Sequence, residues 1–128
     1  MTYILGINSF HGDASACIIK DGVLLAAAEE ERFLRIKHWA GFPSKSIKFC
    51  LEKSNLQLSD IDYISINIDP NANYLRKIFF LIKFRPNISF ILRKLKKKKR
   101  YKTIEEILTD EFKGESFQGK IVNIEHHY

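Results

Sequence analysis

The feature that most limits how this chain can fold is the pair Asp21-Gly22, set between two apolar runs at residues 14–20 and 23–29. A two-residue Asp-Gly loop there is a strong hairpin signal. A type I′ turn needs positive φ at both central positions, and its twist matches that of the flanking strands. The hairpin commits two strands to antiparallel pairing. Ahead of it, residues 3–7 form a short apolar run that ends in Asn8-Ser9, which reads as a buried strand. Three consecutive strands therefore open the chain.

The remainder alternates. Residues 30–40 read as an irregular, highly charged connection. Phe42-Pro43-Ser44 opens a helix, since proline costs nothing in a first turn. Ile47, Cys50, Leu51 and Ser54 recur at helical spacing and form its inner face. Residues 61–68 alternate and are rich in isoleucine, which predicts a strand. A turn at residues 69–73 leads into a helix over 74–84, which Pro86 ends. A second helix is expected over 89–100. A third runs from an N-cap at Thr103 to about Phe112, with acids in its first turn. Residues 114–119 read as loop and 120–124 as a last short strand. A hairpin with helical crossovers gives a mixed sheet with helices packed on it, an α/β layered domain. It matches the ribonuclease H-like half of the actin-like ATPase fold, a fold that normally uses two such halves around a nucleotide.

Composition narrows the class. With 128 residues, 45% of them hydrophobic, the chain is neither disordered throughout nor too short for a core. Its two cysteines, Cys17 and Cys50, lie inside apolar patterns, so no disulfide scaffold is expected. Neither a signal peptide nor a long uncharged apolar run is evident, and a reducing cytoplasm is the expected compartment. The net charge of +6 is concentrated: residues 93–102 hold eight of the 21 Lys and Arg. From Pro70 to Ile104 there are twelve Lys or Arg and no acid. The protein is otherwise slightly acidic.

Four groups of residues carry candidate chemistry. His11-Gly12-Asp13-Ala14-Ser15-Ala16 follows the first strand. Its backbone N–H groups can cradle an anion, its small residues leave space, and His11 can donate a hydrogen bond or shuttle a proton. Asp13 can orient a water, a histidine or a metal; the plain alternative is a β-turn with an Asx hydrogen bond. The string from Glu29 to His38 could be an anion-binding arm or a solvated charged edge. Glu125-His126-His127 could supply a metal ligand, but adjacent histidines do not share a helical face. The basic region mixes Phe79, Phe80, Phe84 and Phe90 with lysines and arginines. That suits nucleic acid, an anionic membrane surface, or a helical hairpin with a solvated lysine tip.

Together these fragments resemble a known family. Gly6-Ile7-Asn8, the His11–Ala16 string, Asp21-Gly22, Ala27-Ala28-Glu29-Glu30-Glu31-Arg32-Phe33, Lys37-His38, Phe42-Pro43, Ser59-Asp60-Ile61-Asp62 and Glu125-His126-His127 are similar to the amino terminus of the O-carbamoyltransferases. This is the family of nodulation-factor and antibiotic carbamoyltransferases. Residues 1–128 would be the amino-terminal half of a carbamoyltransferase domain, with a basic helical insertion over about 70–112. The resemblance implies an actin-like core like that of the tRNA threonylcarbamoyl-transferring proteins. It implies carbamoyl phosphate and ATP as substrates, with a carbamoyl-adenylate formed in a separate carboxy-terminal domain. The carbamoyl group then passes to a hydroxyl of a sugar-like acceptor.

By the same resemblance, His11 would contact the carbamoyl or phosphate oxygen or help deprotonate the acceptor, and Asp13 would organise that loop. Arg35 and Lys37 would be anion contacts. His126 would be a ligand of a divalent metal, usually iron, with His127 beside it or on the nucleotide. Two departures stand out. Gly12 separates His11 from Asp13, where many members have His-Asp directly. The last histidine of the family's His-His-x-x-His motif would fall two positions past Tyr128. Members are several times longer, so the expected partners include the rest of a carbamoyltransferase chain, and these 128 residues are expected to be inactive alone. No specific nucleic-acid partner is expected. A non-catalytic α/β module, binding an anionic membrane or nucleic acid through residues 76–102, is the competing reading.

Overall fold

The computed structural model describes residues 1–67, 74–84, 89, 104–112 and 115–124. Three strands come first: β1 (Tyr3–Asn8), β2 (Ser15–Lys20) and β3 (Val23–Glu29). The Asp-Gly turn is formed as its residues dictate, with Asp21 at φ 46° and Gly22 at φ 85°. Asp21 also anchors the start of the chain: Thr2 N donates to its Oδ1 at 2.8 Å, and Asp21 N donates to Thr2 O at 3.0 Å.

The connection after β3 is not wholly irregular. It contains a single helical turn, α1 (Glu31–Leu34), which closes on Arg35 in the left-handed region. Helix α2 (Ser44–Lys53) follows, with Pro43 at its N-cap position. Its buried residues are Ser46, Ile47, Cys50 and Leu51. Ser54 is its C-cap and only half-buried, so Ser46 completes the inner face instead. A 3₁₀ turn (Leu58–Asp60) leads to β4 (Tyr63–Ile66). Helices α3 (Tyr74–Phe84) and α4 (Ile104–Glu111) and strand β5 (Lys120–Asn123) complete the described elements. The helix expected over 89–100 and the lysine run lie outside the described residues, apart from Ser89.

The strands form one sheet in the order β3-β2-β1-β4-β5. β1, β2 and β3 pair antiparallel, while β4 and β5 join parallel to β1 and to each other. This is the mixed sheet with helices that the element order predicts. Alternate residues face a core on one side: Leu5, Ile7, Ala16, Ile18, Ala26, Ile64 and Ile66. Helix α2 covers β2 and β3 there through Ile47, Cys50 and Leu51, and Leu108 of α4 joins the same cluster. Each leucine or isoleucine among them contributes about 1.5–3 kcal/mol when fully buried.

The other sheet face carries small residues. Ala27, Cys17, Gly6 and Ser65 lie side by side across β3, β2, β1 and β4. Close approach explains the glycine: a Cβ at position 6 would sit 2.8 Å from Cys17 Sγ. Both cysteines are free thiols. Burial pushes the Cys50 thiol up to about 11, with Cys17 nearby adding to it.

Candidate functional site

The site is built where β1 ends. Asn8, its last residue, faces both ways. Its Nδ2 donates to Asp13 O at 2.9 Å, and its Oδ1 accepts from Asn67 Nδ2. Asn67 follows β4 directly, and its Oδ1 accepts from Ser9 N at 3.1 Å. The two asparagines thus tie the ends of the neighbouring parallel strands and hold the start of the loop that follows. Ser9 is completely buried, and its Oγ has no hydrogen-bond partner among the described residues.

The loop of residues 9–14 is strapped to a second loop. Phe10 N donates to Gly41 O at 3.2 Å and Ala14 N to Trp39 O at 3.1 Å. Phe10 and Phe42 bring their rings to 6.3 Å. Phe10, Asp13 and His38 all have positive φ (56°, 63° and 55°) without being glycine. Such residues are uncommon and need surrounding contacts to hold them. The two straps provide those contacts.

This strapping brings two side chains together. Asp13 Oδ1 lies 2.8 Å from His38 Nδ1, with both groups exposed to solvent. Asp13 raises the proton affinity of His38, first by the hydrogen bond and then by its charge, and Glu31 adds a smaller effect. His38 N also donates to Glu31 Oε2 at 3.4 Å. The pair therefore stabilises the protonated form of His38 relative to a free imidazole and leaves its other ring nitrogen able to hydrogen-bond an anionic oxygen.

Glu30 has a different task from that of an anion-binding arm. It is buried, and its carboxylate accepts from Lys45 N at 3.2 Å, Ser46 N at 2.8 Å and Ser46 Oγ at 2.8 Å. These are free donors of the first turn of α2, so Glu30 caps that helix from outside it. Glu30 N donates to Ala14 O, and the Glu30 carbonyl accepts from Phe33 and Leu34. One residue thereby joins the loop, α1 and α2.

The expected site residues divide accordingly. His11 is exposed within the loop, two residues before Asp13 in sequence. Ala14 and Ala16 are buried, and Ser15 and Ala16 are among the walls of an open hollow beside the loop. Arg35 and Lys37 are exposed, and their side chains meet no partner among the described residues. His126 and His127 lie outside the described residues. Among the described residues no three His, Cys, Asp or Glu side chains gather as a metal site. His38 stood in the sequence only as the end of the Glu29–His38 string and in the Lys37-His38 pair; its pairing with Asp13 had no local signal.

Beside the loop, the small-residue face opens into a hollow of about 1050 Å³. Gly6, Asn8, Cys17, Ser65, Asn67 and Arg32 are among its walls. Asn8 belongs to both: it borders the hollow and holds the Asp13 carbonyl. The volume is that of a small-molecule cleft.

Residues 3–124 match the family described as Carbamoyltransferase N-terminus. The chain belongs to that family. Among its relatives, an uncharacterised protein of Synechocystis is 41% identical over 86 residues, which is 67% of this chain and 14% of that protein. The nodulation protein NolNO of Sinorhizobium fredii is 50% identical over 58 residues, 45% of this chain and 8% of that protein. The chain thus spans less than a sixth of either relative. In structure it is similar to YeaZ from Pseudomonas aeruginosa, with 17% identity and a TM-score of 0.39 over 55% of this chain and 30% of that one. As a carbamoyltransferase N-terminal region, the chain has its candidate loop, strap and hollow within the matched span. No helix among the described residues is long and apolar enough to cross a membrane.

Proposed function

We propose that this chain is the amino-terminal portion of an O-carbamoyltransferase, which moves a carbamoyl group from carbamoyl phosphate, through an ATP-derived carbamoyl-adenylate, to a hydroxyl of a sugar-like acceptor. The observation that carries the reading is the family match over residues 3–124. The geometry of the loop at residues 9–14 supports it.

In this proposal the acceptor oxygen attacks the carbamoyl carbon, and its bond to that carbon forms as the bond to the adenylate phosphate oxygen breaks. AMP leaves with the electron pair, and the acceptor proton goes to a base. His11, exposed in that loop, is that base, or the contact to the reacting oxygen. His38, whose proton affinity Asp13 raises, donates to the phosphate oxygen; Arg35 and Lys37 add charge at longer range. Asn8 fixes the loop so that these groups are placed before substrate arrives.

A divalent metal, iron by the family resemblance, would take His126 as a ligand with His127 adjacent. The described residues supply no ligand set for it, and no step above runs through it. Because the chain covers so little of its relatives, the 128 residues alone are expected to be inactive.

The test is transfer of labelled carbamoyl phosphate to sugar acceptors by the complete gene product that carries this region. ATP-dependent label in the acceptor, with AMP released, is the expected result. Asp13→Asn and His38→Ala should each lower the rate by about a hundredfold, the scale of a lost acid, base or charge contact. No ATP-dependent transfer by the complete product would sink the reading.

A further inference from the structure

Helix α3 turns apolar side chains outward. Leu75 is 81% exposed, Phe79 65%, Ile82 68% and Phe84 62%. Leu75, Phe79 and Ile82 follow the i, i+4, i+7 spacing of one helical face. Phe80 and Phe84 lie further round, with their rings 4.8 Å apart. Cations border this surface: Arg76 is exposed, and Lys83 Nζ lies 6.0 Å from the Phe79 ring centre and 5.7 Å from that of Phe84. Solvent-facing phenylalanine, leucine and isoleucine packed this densely on one helix mark a docking surface rather than ordinary surface.

Charge selects the occupant. The stretch from Pro70 to Ile104 has twelve Lys or Arg and no acid, within a chain that is otherwise slightly acidic. A face that is apolar and bordered by one sign of charge suits a partner that is apolar within and anionic at its surface. We infer that α3 docks in the plane of an anionic lipid bilayer, with Leu75, Phe79 and Ile82 entering the acyl boundary and Arg76 and Lys83 reaching lipid phosphates. Single-stranded nucleic acid fits less well. Bases stack on rings, which gives Leu75 and Ile82 nothing to do. An eleven-residue helix is about 16 Å long, half a bilayer's hydrocarbon thickness, so it lies on the membrane and does not span it. Such docking would hold the region beside a lipid-borne or membrane-adjacent acceptor.

The test is co-sedimentation of the full chain with phosphatidylcholine vesicles, with and without phosphatidylglycerol. The comparison includes Phe79→Ser/Ile82→Ser and Lys83→Gln variants. Both substituted apolar residues are exposed, so thermal unfolding should match the parent and any loss reports docking. Binding to the anionic vesicles alone, reduced at least tenfold by the apolar double substitution and less by Lys83→Gln, is the expected result. Three results would overturn the inference. One is no vesicle binding, including the case in which the chain binds only single-stranded DNA. Another is equal binding to neutral vesicles. The third is anionic binding that the double substitution leaves intact, since the basic stretch alone would then carry it.

Discussion

Asp13 and His38 are 25 residues apart in sequence, and their side chains meet at 2.8 Å. The contact exists because two loops exchange backbone hydrogen bonds, Phe10 to Gly41 and Ala14 to Trp39. It has a measurable consequence. The His38 imidazole should titrate above its ordinary 6.5. Replacing Asp13 with Asn should bring it back down, because the largest cause of the shift is removed. A histidine NMR titration reads both values. The sign for stability follows: a raised folded-state value stabilises fully below the unfolded value, and that contribution fades as pH rises through the folded one. The pair should therefore tighten the loop below pH 6.5 and loosen it as pH rises above that value through the folded-state one. Equal titration in parent and Asp13→Asn would disprove the pairing.

Glu30→Ala should destabilise the fold by about 3 kcal/mol. The substitution leaves first-turn donors of α2 buried without an acceptor, and hydrogen bonds to a charged group are among the stronger ones. Urea denaturation measures the change. Glu31→Ala, one residue on, removes an exposed contact to His38 N and a weak charge effect on His38, and should cost well under 1 kcal/mol. Similar losses at both positions would show that Glu30 is not the cap.

Gly6→Ala should cost about 1–3 kcal/mol, because the new methyl meets the Cys17 sulfur. Cys17→Ala in the same chain should recover much of that loss by removing the sulfur. A double-mutant cycle isolates the coupling. Strict additivity would mean that the strands shift instead of clashing.

Thiol chemistry offers a further check. With Cys50 pushed up to about 11 and Cys17 also raised by burial, both should react slowly with a disulfide reagent at neutral pH. Denaturant should expose both at once. Rapid native labelling of Cys50 would contradict its place on the buried inner face of α2.

Which parts of this molecule were legible depended on how local their causes are. The hairpin was readable because Asp21-Gly22 carries its own turn chemistry. Helix α2 was readable from periodicity, although the period pointed to Ser54 where Ser46 turned out to be buried. Helix α1 is one turn with no apolar period, and the carbonyl of Glu30 launches it, so nothing local announced it. Glu30 and His38 were hidden for a related reason: their partners, Ser46 and Asp13, lie 16 and 25 residues away. In α3 the helix was legible and its exposure was not. Period alone marks a stripe without saying whether protein covers it.

The central place of β1 also governs the order of assembly. Its first hydrogen-bonded neighbour, β2, is synthesised almost at once, joined by a short loop. Its second, β4, emerges far later; Tyr3 N finds the Asp62 carboxylate across 59 residues. During synthesis the nascent three-stranded meander therefore presents an unpaired edge at what will become the middle of the sheet. Until residues 63–66 leave the ribosome, that edge is open to mispairing with other chains. Premature release before β4 should thus yield a sticky intermediate, not a smaller stable domain.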